Sequence, residues 1–256
     1  MHRRTFLIPS MVCLVLALAW SGRAASAEET TAEGQLSLFA DVGNIDNRDW
    51  NSWFIQPGVE LANYQDGLNV SVRGRALFSQ DEDFTDNGLD STGKINGWDT
   101  RAMVGLGLAS DRGSAINLLI GAGYYYIKEE QDLNALDTNV SLTSKFATAE
   151  VGARLGLKLF DSLDWVSMVT GGPIFWGEAD ADSSVLGGFV DTDGNGRDID
   201  NGWVAEARTG LDLYVSRGLA LHGGVSYEHL QYDLKGIGDE RKLDKLALHV
   251  GLLFRF

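Results

Sequence analysis

Residues 191–200, DTDGNGRDID, gather oxygen ligands around two glycines. Asp191, Asp193, Asn195 and Gly196 fit positions 1, 3, 5 and 6 of an EF-hand calcium loop. Ile199 falls where the ninth position would be, and Gly202 where a bidentate glutamate belongs. The flanks read as strand rather than helix, so the stretch is not an EF-hand. It has the form of a looser DxDGNG calcium turn, with Asp198 and Asp200 as late ligands. Oxygen donors at every second residue suit a hard cation. The alternative is a glycine-rich turn held by Asx hydrogen bonds, with no ion. Calcium is the one cofactor the sequence suggests.

Two carboxylate pairs could do acid–base chemistry: Asp81 with Asp83 (SQDEDF) and Asp180 with Asp182 (GEADADS). Such pairs need environments that split their pKa values, and solvated loop acids lack them. No histidine accompanies either pair. Past residue 27 the histidines are His222, His229 and His249. Ser226, Glu228 and His229 (VSYEH) could form a nucleophilic set. Neighbours on a strand point to opposite faces, so Glu228 cannot orient His229. No catalytic residue is assigned.

These side chains must be positioned by strands, because the chain alternates with period two. In KLALHVGLLFRF every even position from Leu246 to Phe256 is Leu, Val or Phe. In 147–159 the odd positions are Ala, Val or Leu against Glu150, Gly152, Arg154, Gly156 and Lys158. Residues 98–108 and 203–215 repeat the pattern. Period two sustained over such lengths means strand.

The ends and composition set the compartment. MHRR, the apolar run 6–20 and Ala25-Ser26-Ala27 read as a secretory leader over 1–27, the run too short for a membrane helix. Arg3, Arg4 and Arg23 leave with it and no acid does, which takes the formal charge from −15 to −18. Such an acidic chain repels nucleic acid. The remaining chain, 28–256, has no cysteine and hence no disulfide.

A soluble sandwich also alternates, but three features favour a membrane barrel. The apolar faces fill the 9–11 residues a tilted membrane strand needs. Aromatic residues gather near strand ends: Trp50, Trp53, Trp98, Tyr124 to Tyr126, Trp165, Phe175, Trp176, Trp203, Tyr227 and Tyr232. Short connections (63–67, 110–114, 161–164, 216–218) alternate with long ones (44–52, 79–97, 128–145, 178–202, 234–243). The expectation is one all-β, closed antiparallel transmembrane barrel of ten strands, near 35–43, 53–63, 68–78, 98–109, 115–127, 146–160, 165–177, 203–215, 219–233 and 244–256. Eight or twelve strands fit less well. Gly171-Gly172-Pro173 predicts a bulge or kink.

The leader, the amphipathic strands and the aromatic C-terminus resemble bacterial outer-membrane β-barrel proteins. That resemblance implies export through the inner membrane to the outer membrane of a Gram-negative bacterium, with long loops outside. It makes Phe254 and Phe256 the signal for the barrel-assembly machinery, and outer-membrane lipids and lipopolysaccharide the partners. The acids at Asp81, Asp83, Asp180 and Asp182 resemble the rim acids of the ten-stranded omptin proteases, without their histidine.

Lipid outside forces the polar face inward. The expected lumen holds Asp41, Glu60, Asp99, Glu150, Glu206, Asp212 and Glu228 against Arg73, Arg75, Arg101, Arg154, Lys158, Arg208, Lys245 and Arg255. Near balance suits ion pairs that fix strand register. The other reading is a narrow ion or small-solute path lined by Arg73, Arg75, Arg101, Glu150, Glu206 and Arg208. Ten strands enclose little beyond what side chains fill. The loops carry most of the excess acid: Asp81, Glu82, Asp83, Asp86 and Asp90 in one, and Glu178, Asp180, Asp182 and the 191–200 acids in another. The functional expectation is a non-enzymatic envelope protein with acidic, cation-binding loops. The alternatives are a narrow channel and a rim hydrolase.

Overall fold

A computed structural model describes residues 34–256 apart from 48–49, 65–66, 87–88, 110–113, 134–137, 184–196 and 235–239. Eleven strands make up the described chain: β1 (Gln35–Asn47), β2 (Trp50–Asn63), β3 (Gly67–Ser79), β4 (Glu82–Asp86), β5 (Leu89–Ala109), β6 (Ala115–Leu133), β7 (Thr138–Phe160), β8 (Leu163–Ser183), β9 (Arg197–Ser216), β10 (Leu219–Leu234) and β11 (Glu240–Arg255). Apart from β3 and β4, each strand pairs antiparallel with the next in the chain, β3 pairs with β5, and β1 pairs with β11. Ten strands thus close a ring with no free edge. Strand β4 stands outside it, paired only with the start of β5.

Closure follows from the alternation. Val42, Val59, Val104, Leu118, Val151, Leu211, Val225, Leu248 and Val250 lie exposed on the outer wall. An apolar surface running round the barrel is stable in hydrocarbon and not in water. Outward rings form an aromatic band toward the long-loop end: Trp98 sits 5.3 Å from Tyr124 and 6.0 Å from Tyr126, and Tyr124 sits 6.4 Å from Trp176. Trp53, Trp203 and Tyr227 are also exposed on the outer wall.

Several strands run further than expected. Most of 79–97 is the β4–β5 hairpin, and most of 128–145 is strand in β6 and β7. Their side chains are polar on one or both faces, so the apolar/polar period fades there while the backbone ladder continues to Ser91↔Leu133 and Leu133↔Thr138. Three aromatic residues assigned to the outer band lie inside instead. Tyr125 and Tyr232 are buried in the lumen, and Trp50 packs against the same interior cluster, because each sits on the inward parity of its strand. The expected bulge is present in β8. Its pairing with β7 passes from Trp176 to Ile174 and skips Phe175, two residues after Pro173. Proline offers no N–H to the ladder, which favours an irregularity there. Gly67, at φ 88°, opens β3 from a tight turn that favours glycine.

Candidate functional site

The lumen is layered. Toward the long loops it holds an apolar plug of Ile45, Phe54, Leu77, Ile95, Tyr125, Ile127, Phe146, Val204, Leu230, Tyr232, Leu234 and Leu243. Phe146 is 0 % exposed, between Tyr125 at 4.9 Å and Tyr232 at 5.7 Å. The polar groups in the plug are joined to each other, as in Ser144 Oγ and Tyr232 Oη at 2.9 Å.

Below the plug lies a layer of charge. Arg73 grips Glu206 with two bonds, Nη1 to Oε1 at 2.8 Å and Nη2 to Oε2 at 2.6 Å. Arg101 Nη1 donates to Glu206 Oε2 at 2.7 Å, and its Nε lies 2.8 Å from Glu150 Oε2. Arg208 Nε also donates to Glu206. Arg75 reaches four acids: Asp99 at 3.0 Å, Glu228 at 2.5 Å, Glu206 at 3.4 Å and Asp41 at 3.8 Å. Lys245 closes on Glu228 at 2.5 Å. Inward-facing parity puts these side chains together. In the ring, β3 stands opposite β9, so Arg73–Glu206 spans the lumen. Two of the expected lumen cations sit elsewhere. Lys158 is 44 % exposed and pairs with Asp161 across the β7–β8 turn, where the register shifts. Arg255 is at the mouth, its guanidinium 4.3 Å from the Tyr214 ring and 3.7 Å from Asp164.

Ser226 and Glu228 face inward, toward Asp41 and Arg75, whereas His229 faces outward. The acid that meets His229 is Asp244, its register partner on β11, with Nδ1 2.6 Å from Oδ1. Asp244 also accepts from Tyr227 Oη at 2.6 Å and pairs with Lys242 at 2.7 Å. The Trp203 ring lies 4.6 Å from the imidazole, and Nε2 lies 3.4 Å from Gln231 Oε1. This polar cluster sits on the lipid-facing wall beside the aromatic band. Sequence reasoning separated His229 from Glu228 and missed Asp244, because only the strand register joins His229 to Asp244.

The rim acids are dispersed. Asp83 accepts from Thr92 Oγ1 at 2.8 Å on the β4–β5 hairpin, and Asp180 on β8 pairs with Lys145 at 3.3 Å. Asp191, Asp193 and Asn195 lie outside the described residues, as does the leader. Asp198 and Asp200 lie on β9, the former with an exposed side chain. Among the described residues, no group of three His, Cys, Asp or Glu could hold a metal ion. Phe254 pairs with Leu36 and Leu219 near the seam, and Phe256 is exposed at the chain end.

No protein-family model and no curated protein matches this sequence. Solved structures do. The chain is similar to the outer membrane protease OmpT of Escherichia coli, at 8% identity and TM-score 0.61, over 91% of this chain and 99% of that one. The translocator domain of the autotransporter NalP of Neisseria meningitidis aligns at 13% identity and TM-score 0.47, over 97% of this chain and 98% of that one. The transport unit of AIDA-I of Escherichia coli aligns at 8% identity and TM-score 0.49, over 95% of this chain and 97% of that one. The fold is that of the outer-membrane β-barrels.

Proposed function

We propose that the chain is a closed, non-conducting outer-membrane barrel that acts at its outer surface without catalysis. The observation that carries this reading is the filled lumen, an apolar plug above ion-paired charges. A channel needs a continuous wet path, and packed apolar side chains exclude water. The acidic rim then contributes the activity: its carboxylates share divalent cations with the anionic headgroups of the surrounding leaflet, with Asp191, Asp193, Asn195, Asp198 and Asp200 as a calcium ligand set. Planar-bilayer recording of the purified barrel tests this. The expected trace is flat; stepwise openings that change on Arg73→Ala plus Arg208→Ala would replace this reading with a narrow channel.

A second reading has one observation in its favour. His229 held by Asp244 at the level of the aromatic band is an imidazole–carboxylate pair suited to general-base chemistry on a lipid ester. The rim acids do not favour proteolysis, since Asp83 and Asp180 are engaged by Thr92 and Lys145 with no histidine beside them. Release of fatty acid from outer-membrane lipid, lost in His229→Ala and kept in His222→Ala, would establish the hydrolase reading and displace the first.

A further inference from the structure

At the short-turn end the lumen opens into a recess that the charge layer and plug do not fill. It is lined by residues of seven strands, among them Phe39, Glu60, Tyr64, Arg154, Arg208 and Asp212, with His222 and His249. Its water-accessible volume is about 70 Å³. By the same measure a single water needs roughly 10–15 Å³. The space therefore takes a small ion with part of its hydration.

Two arginines line it in a way that differs from the layer above. Arg154 lies with its guanidinium 4.3 Å from the Tyr64 ring centre, and it makes no ion pair among the described residues. Arg208 lies 5.1 Å from the Phe39 ring centre; its Nε is held by Glu206, while its buried Nη2 has no hydrogen-bond partner among the described residues. Stacking on a ring fixes a guanidinium plane and leaves its edge donors pointing away from the ring. The acids that line the recess, Glu60 and Asp212, each have a hydrogen-bond partner, and Asp41 lies behind His249. Tyr64 Oη donates to Glu60 at 2.6 Å. His222 Nδ1 lies 2.5 Å from Asp212, and His249 Nδ1 lies 2.5 Å from Asp41. The two imidazoles meet edge to face at 4.7 Å. The recess thus combines engaged acids with cations that retain donors, an arrangement that asks for an acceptor.

We propose that this recess is a binding site for a small oxyanion, a phosphate or a carboxylate, held by the edges of Arg154 and Arg208. A planar guanidinium recognises either oxyanion with paired N–H donors. The site is blind, since the plug closes the other end, so it binds from the short-turn side and does not pass its ligand through. The proposal does not rest on the outer-surface reading: a barrel that conducts or hydrolyses lipid could carry the same site.

The test uses the full barrel folded in detergent, titrated at low ionic strength with inorganic phosphate in one arm and acetate in the other, read by calorimetry. Saturable binding in either arm is expected, and the tighter arm names the oxyanion. Arg154 makes no ion pair among the described residues, so Arg154→Gln should fold normally, as heat-modifiable gel migration would check, and should weaken binding at least tenfold. Arg154→Lys keeps the charge and loses the fork, and should fall between. Lys158→Gln, a cation four residues away and exposed at the turn, should bind as the parent does. No saturable binding of either anion by the parent, or equal binding by parent and Arg154→Gln, would overturn the site.

Discussion

Replacing Glu206 by glutamine keeps the side chain's shape and removes one negative charge from the middle of the lumen. That carboxylate faces Arg73 at 2.6 Å, Arg101 at 2.7 Å and Arg75 at 3.4 Å, with Arg208 on its Oε1, and it is 1 % exposed. Breaking a buried pair by removing one partner costs about 3–5 kcal/mol, because the remaining charge stays desolvated. At about 1.4 kcal/mol per factor of ten, the folded-to-unfolded ratio falls by a hundredfold to several thousandfold. With a urea slope of about 3 kcal/mol per M, the unfolding midpoint moves down by about 1–2 M. Tryptophan fluorescence of the barrel in lipid vesicles under urea would record it. The reference is Asp180→Asn on the rim, which breaks an exposed pair with Lys145 and should cost no more than about 1 kcal/mol. Adding Arg101→Gln to Glu206→Gln should recover part of the loss, with a coupling of about 0.5–3 kcal/mol. If Glu206→Gln and Asp180→Asn shift the midpoint equally, the charge layer is not what these distances imply.

Other outcomes follow from single residues. Gly172→Ala would place a Cβ 1.9 Å from the Ala149 carbonyl oxygen, whereas Gly74→Ala meets nothing within 4 Å. In the same urea assay the first should lose about 1–3 kcal/mol and the second should stay within about 0.5 kcal/mol. Phe146→Ala removes a fully buried ring from the plug and should cost about 3–5 kcal/mol while bilayer recordings stay flat. On the rim, the hydrogen bond from Lys128, and then that from Lys94, hold the Glu130 carboxyl below the usual carboxylate range. Its contribution is therefore present above the ordinary carboxyl pKa and lost as pH falls through the lower folded value, and solvent limits it to about 0–1 kcal/mol. Glu130→Gln should flatten that acid limb in a melting series against pH. For the calcium ligand set of 191–200, chelator should lower the melting temperature of the parent and not of Asp191→Ala plus Asp193→Ala; a parent unmoved by chelator removes the calcium site.

The ten ring strands were legible because lipid outside and a packed lumen impose period two on almost every one. Their outer ends were not, since 89–97 and 138–145 rise past the apolar band, where no lipid dictates which face is apolar. The plug left a signal that alternation alone does not use: near the outer ends the apolar residues stop alternating, as in WFI at 53–55, LF at 77–78 and YYYI at 124–127. Two adjacent apolar residues on a membrane strand mean that the inward one has an apolar neighbour across the lumen. The composition of the charge layer was readable, but its partners were not. Arg73 and Glu206 are 133 residues apart, and Arg75 and Glu228 are 153 apart. Only closure of the ring decides which acid an inward arginine meets. The pairing of His229 with Asp244 depended in the same way on a register that local pattern does not reveal.

The cross-lumen pairs also bear on how the barrel is made. A sheet that carries β3 but not yet β9 and β10 has Arg73 and Arg75 with no Glu206 or Glu228 to meet. In hydrocarbon each such charge costs several kcal/mol. Partial sheets are therefore penalised until the β1–β11 seam shuts, and a sheet slipped by two residues keeps its apolar face yet misses its partners. Insertion should then proceed as one cooperative step, with the interior charges proofreading alignment at the moment the ring closes.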